Sequence, residues 1–164
     1  MSRKAIYPGT FDPITYGHLD LINRAHRIFP HLIVAVAHNL PKNPLFSVEE
    51  RLAMVRKAIG NIKGIEVEDF NELVVDFARR KKCFVLIRGL RMISDFEYEF
   101  QMALTNRKLC AQIETIFLMP HESYSYVSST LLKEAAQLGA DLSKFVPKFV
   151  EDALKKKLQE KYKK

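Results

Sequence analysis

Short, almost unbroken apolar runs alternate along this chain with stretches whose apolar residues recur every three or four positions. That alternation predicts parallel strands joined by crossover helices. The first two strands fall at 5–7 and 32–37, and the second, Leu32-Ile33-Val34-Ala35-Val36-Ala37, is apolar throughout, as in a sheet covered on both faces. Between them Leu21, Ile22, Ala25, Ile28 and Phe29 mark one buried face of a helix over about 17–29, which Pro30 stops. An exposed loop at 39–46 leads to Ser47-Val48-Glu49-Glu50, a capping-box pattern for a helix reaching about residue 59. Gly60 and Gly64 then release the chain into a short strand at 65–67.

A third helix is expected over 73–80, followed by the strand Cys83-Phe84-Val85-Leu86-Ile87 and by a loop, Arg88-Gly89-Leu90-Arg91. Ser94-Asp95-Phe96-Glu97 repeats the capping-box pattern for a helix to about residue 108. Thr115-Ile116-Phe117-Leu118-Met119 is a fifth strand ended by Pro120, and a Ser-rich segment leads into a helix over 128–137 that Gly139 ends. A last helix spans about 147–161. The expected fold is a single α/β domain covering 1–164: a Rossmann-like, doubly wound sheet of five parallel strands, helices on both faces, and a C-terminal helical extension.

Composition changes this picture little. Cys83 and Cys110 lie far apart, with no CxxC or Cys/His cluster, so neither a zinc site nor a disulfide scaffold is expected. No apolar run approaches membrane-spanning length and the first residues lack a signal-peptide pattern, which predicts a soluble cytoplasmic protein without a membrane partner. The net charge is +7, but the final fourteen residues hold six lysines against three acids and so carry three of those charges. The remainder has no basic stripe interleaved with aromatics, and no nucleic-acid partner is expected.

Candidate chemistry sits where loops leave strand carboxyl ends, the rim at which open parallel sheets bind ligands. After the first strand, Tyr7-Pro8-Gly9-Thr10-Phe11-Asp12-Pro13-Ile14-Thr15-Tyr16-Gly17-His18 reads as a phosphate-handling loop. Gly9 and Gly17 would admit a close ligand, and His18 falls at a helix start whose N–H groups already favour an anion. Arg88 and Arg91 follow the fourth strand, Ser128, Ser129 and Thr130 the fifth, and Lys42 the second. Asp12, before Pro13, reads as an Asx-turn residue.

These residues carry a family resemblance. Gly9-Thr10-Phe11-Asp12-Pro13 with Thr15-Tyr16-Gly17-His18 resembles the T/HxGH signature of the nucleotidyltransferase superfamily, and Val127-Ser128-Ser129-Thr130-Leu131-Leu132-Lys133 its ISSSxxR/K-type signature. Leu86-Ile87-Arg88-Gly89-Leu90-Arg91, Asp95-Phe96-Glu97-Tyr98-Glu99, Asn106-Arg107 and Phe117-Leu118-Met119-Pro120 bring it nearest to the bacterial phosphopantetheine adenylyltransferases. Tyr16, Val127 and Thr130 depart from the signatures without shifting their register.

The resemblance implies transfer of an adenylyl group from ATP to 4′-phosphopantetheine, giving 3′-dephospho-CoA and pyrophosphate. It assigns catalysis to His18, Lys42 and Arg91, and acceptor binding to Thr10, Lys42, Val74 and Arg88. ATP contacts would come from Thr10, Phe11, His18, Gly89, Leu90, Arg91 and Glu99, and from the stretch Tyr124, Ser125, Tyr126, Val127, Ser128, Ser129 and Thr130. Mg2+ is implied as ATP's partner, CoA as a feedback ligand and a homohexamer as the assembly. Direct displacement needs no enzyme nucleophile, and no GxSxG, HExxH or P-loop motif is present. The rival readings are another member of the superfamily acting on, for instance, nicotinate mononucleotide, and a non-catalytic nucleotide- or RNA-binding module that uses the basic tail.

Overall fold

In the computed structural model, which describes residues 3–38 and 43–162, five parallel strands form one sheet. In chain order the elements are β1 (Lys4–Gly9), α1 (Tyr16–Ile28), β2 (His31–Ala37), α2 (Val48–Ile59), β3 (Ile65–Phe70), α3 (Val74–Lys81), β4 (Val85–Gly89), α4 (Ile93–Leu109), β5 (Glu114–Leu118), α5 (Ser129–Gln137) and α6 (Lys148–Tyr162). The strands lie in the order β3-β2-β1-β4-β5. The chain therefore winds outward one way from β1, then returns to lay β4 on β1's other side. This reversal opens a crevice above the carboxyl ends of β1 and β4.

Strand side chains alternate between two cores, because successive residues of a strand point to opposite faces. Ala5, Tyr7, Leu32, Val34, Val36 and Ile87 pack with apolar residues of α1, α2, α5 and α6. Ile6, Ile33, Ala35 and Leu86 pack with Val75, Phe77 and Ala78 of α3 and with Cys110 and Ile113 just past α4. Helices thus cover both faces. Among the described residues no helix is long and apolar enough to cross a membrane.

Three departures from the sequence pattern have physical causes. β3 extends to Phe70 rather than ending near 67: Glu66 and Glu68 alternate with Val67 along the partly exposed edge of the sheet, and Lys81 holds Glu68 at 2.6 Å. β4 continues through Arg88 and Gly89, placing both within the strand rather than in the loop after it. Gly89 leaves room there for Leu21 of α1, since a Cβ would lie 2.4 Å from its Cδ1 and the leucine side chain would have to shift. α4 begins at Ile93 with Met92 as N-cap and no side-chain cap bond from it, so position 94 stands inside the first turn rather than at the cap. By contrast Ser47 and Glu50 do form the capping box of α2.

Candidate active site

The crevice is a cavity of about 550 Å3 walled by the loops after β1, β4 and β5. The first loop is shaped by Phe11, whose backbone takes a positive φ of 50°, and whose ring meets Tyr7 and His18 edge-on. A Cβ on Gly9 would lie 2.9 Å from that ring. The missing side chain at Gly9 thus makes room for Phe11, where the sequence suggested room for a ligand. Gly17 serves a similar purpose: its Cβ would come 3.3 Å from that of Tyr124, in the segment after β5.

His18 is the third residue of α1, and its ring folds back over the helix start. Thr15, the N-cap, accepts the His18 backbone N–H on Oγ1 at 3.2 Å, and the Thr15 backbone N–H donates to His18 Nδ1 at 3.0 Å. An Nδ1 that accepts cannot carry the proton, so the neutral ring holds it on Nε2 as a donor. Burial, reinforced by the positive charges of Arg91 and Arg88, lowers the His18 pKa from 6.5 to about 4. The imidazole is therefore neutral at pH 7. A histidine titration by NMR is expected to find the Nε2–H tautomer throughout about pH 5 to 8; a midpoint near an ordinary histidine's would contradict this geometry. Because the folded pKa is the lower one, stability contributed by the neutral ring is full above pH 6.5 and declines as pH falls through about 4.

Arg88 spans the two central strands. Its Nη1 donates to Pro8 O at 2.8 Å, while Nε and Nη2 donate to both Glu99 carboxylate oxygens at 2.6 and 2.5 Å. Burial works against the guanidinium, but Glu99 outweighs it and holds the Arg88 pKa above its usual range. Glu99, only 8% exposed, thus meets the cavity as the partner of Arg88. Arg91 leaves β4 and donates to Val127 O at 2.9 Å, joining the loop after β4 to the serine-rich segment. There Ser128 caps α5 by accepting the Leu131 N–H, and Ser129 Oγ donates to Pro13 O at 3.0 Å.

Two residues without a predicted site role hold these loops in register. Asp12, 4% exposed, accepts the backbone N–H groups of Leu45 and Phe46 at 2.9 Å each and pairs with Lys133 Nζ at 2.7 Å. Arg51, 1% exposed, donates to the carbonyls of Thr10 and Ala37, at 2.7 Å each, and of Phe46 at 3.2 Å. An Asx-turn reading of Asp12 thus missed a long-range cross-link, and nothing in the local pattern of α2 distinguishes Arg51 from a solvated helix residue. Asp12→Ala, which leaves two buried N–H groups and Lys133 without their acceptor, is expected to lower the unfolding free energy by about 2 kcal/mol in chemical denaturation.

Of the residues singled out from the sequence, Thr10, Phe11, His18, Arg88, Gly89, Arg91 and Glu99 line the cavity. So do Tyr124, Val127, Ser128, Ser129 and Thr130. Lys42 lies outside the described residues. Leu90, Ser125, Tyr126 and Val74 are not on the wall: the Leu90 N–H is spent on Leu118 O, Ser125 Oγ donates to Glu122 O, Tyr126 lies edge-on to Phe145, and Val74 packs at the edge of the core under α3. Lys133, last in the serine-rich signature, does reach the wall and could have been included on its charge and position.

A profile of the cytidylyltransferase-like family matches residues 6–135. The chain is 54% identical over 152 residues to the phosphopantetheine adenylyltransferase of Opitutus terrae, covering 93% of this chain and 95% of that one. It is 53% identical to that of Alkaliphilus metalliredigens, covering 94% and 99%. The chain belongs to the phosphopantetheine adenylyltransferase family. A phosphopantetheine adenylyltransferase of Legionella pneumophila is also 50% identical over 161 residues, covering 98% of this chain and 95% of that one. A putative nicotinate-nucleotide adenylyltransferase from Vibrio parahaemolyticus shares the fold, with a TM-score of 0.69 at 17% identity over 96% of this chain and 95% of that one. What separates the two groups is sequence identity along the whole chain, since the sheet and its helices are common to both.

Proposed function

We propose that this chain transfers the adenylyl group of ATP reversibly to the phosphate of 4′-phosphopantetheine, forming 3′-dephospho-CoA and pyrophosphate in coenzyme A biosynthesis. The observation that carries this reading, beside half or more of the residues shared with phosphopantetheine adenylyltransferases, is the imidazole of His18 held as a neutral Nε2 donor in one cavity with two guanidinium groups. An oxygen of the acceptor phosphate attacks the α-phosphorus of ATP, a new P–O bond forms, and the bond to the leaving pyrophosphate breaks. No covalent enzyme intermediate is required. The enzyme's work is alignment and charge stabilisation.

In this reading His18 Nε2–H donates to the α-phosphate as negative charge grows there. Arg91 and the start of α5, with Ser128, Ser129 and Thr130, hold the β- and γ-phosphates, where helix N–H groups and the helix dipole favour an anion. Arg88, Thr10 and Lys42 hold the acceptor phosphate. Phe11, Gly89 and Glu99, with Tyr124 and Val127, complete the ATP side.

Mg2+, brought in with ATP, would supply charge neutralisation to the phosphates. The cavity's carboxylates, Asp12 and Glu99, are both already paired, so the available donors suit an ion that keeps phosphate oxygens and water as ligands and takes few from protein. Assembly as a homohexamer fits α4, whose Phe96, Phe100 and Leu104 are each more than 40% exposed, a large apolar stripe for a lone chain. CoA, which contains the pantetheine arm, is the expected feedback ligand, and the cytoplasm the expected compartment.

The test is pyrophosphate release from MgATP with a panel of phosphorylated acceptors. Turnover with 4′-phosphopantetheine and not with nicotinate mononucleotide supports the proposal. Preference for the nucleotide favours the rival acceptor, and no release with any acceptor favours a binding module.

A further inference from the structure

Away from the catalytic cavity, residues of α2 and α6 line a second cleft of about 430 Å3, within the size range of small-ligand sites. Its apolar lining is Phe46, Ala53, Met54, Phe149 and Ala153. The Lys157 ammonium lies over part of this lining, 5.9 Å from the centre of the Phe46 ring. Lys157 is neutralised by Glu50 at 2.7 Å, whereas Lys57, 4.5 Å from the centre of the Phe149 ring, and Lys156 form no ion pair among the described residues. Among the described lining residues Glu160 alone stands against these two lysines, so the lining keeps a net positive charge. An apolar trough with cations among its lining residues matches a molecule that has an apolar chain and one anionic end.

The same cleft is wired to the catalytic rim. Phe46 supplies part of its lining, while the Phe46 N–H donates to Asp12 Oδ1 at 2.9 Å and the Phe46 carbonyl accepts from Arg51. Arg51 in turn donates to Thr10 O at 2.7 Å. Any displacement of Phe46 therefore pulls on both residues that fix the loop after β1.

We propose that the α2–α6 cleft binds a medium-chain acyl carboxylate, its chain on Phe46 and Phe149 and its carboxylate between Lys57 and Lys156, and that occupancy alters acceptor binding through Phe46, Asp12 and Arg51. The probe is decanoate, titrated calorimetrically into the full-length protein below its micelle concentration. Saturable binding near one per chain is expected. It is lost in Ala53→Trp, which fills the trough, and weakened at least about tenfold in Lys57→Glu/Lys156→Glu and for uncharged decanol. No saturable heat up to about 1 mM decanoate, unchanged affinity in Ala53→Trp, or decanol binding as tightly as decanoate would each overturn the proposal.

The kinetic arm rests on the adenylyl-transfer reading. Decanoate is expected to change KM for 4′-phosphopantetheine at least threefold in the parent protein and not in Ala53→Trp. A protein that turns over normally but ignores decanoate sinks the cleft and leaves the enzyme assignment standing; one that binds decanoate but transfers no adenylyl group does the reverse.

Discussion

Replacing His18 with alanine lowers kcat at least about a hundredfold while ATP affinity stays within a few-fold of the parent. The expectation rests on geometry: the ring is locked by Thr15 so that Nδ1 accepts, which leaves Nε2–H as the donor, and burial keeps the ring neutral. One such preorganised donor, strengthened only as charge accumulates in the transition state, contributes about 2.7–4 kcal/mol. Because the same imidazole caps the Thr15 N–H, the variant also loses about 1 kcal/mol of folding stability. Rates are therefore measured well below its unfolding temperature. A variant that turns over at near-parent kcat would remove His18 from the chemistry.

Arg88→Ala lowers kcat/KM for 4′-phosphopantetheine by about a hundredfold and changes KM for ATP only a few-fold. Two losses combine: a charge-assisted contact to the acceptor phosphate and the only cation paired with buried Glu99 among the described residues. Arg88→Lys recovers little, because an ammonium cannot bridge both Glu99 oxygens and Pro8 O at once. Initial rates at varied concentrations of each substrate check the split. Equal loss toward ATP and acceptor would place Arg88 on neither side in particular and would make the Arg88–Glu99 pair a structural clamp.

The strands and helices were legible because their patterns are local. The apolar run at 32–37 lies at the sheet's covered interior, and the box at Ser47 and Glu50 caps α2 as the spacing required. The same pattern failed at Ser94, where the helix starts two residues earlier than a Ser94 cap requires, and the strand expected at 65–67 runs on to Phe70, its exposed edge disguised by the charges of Glu68 and Asp69. For the site, motif chemistry marked the loop residues, but not Asp12 or Arg51 as their cross-links. Their importance comes from partners 33 and 41 residues away in the chain, and no local spacing encodes such a distance.

What the chain's sequence determined by itself was the succession of parallel strands and helices, the family, and the short motifs bearing His18, Arg88, Arg91 and the serines. Periodicity and motif act within a few residues, so they survive without coordinates. Only the tertiary structure decided which nitrogen of His18 carries its proton, that Glu99 is occupied by Arg88, and that the missing Cβ of Gly9 serves Phe11. Each of these depends on which groups burial forces together, and buried polar atoms must find partners wherever the fold brings them.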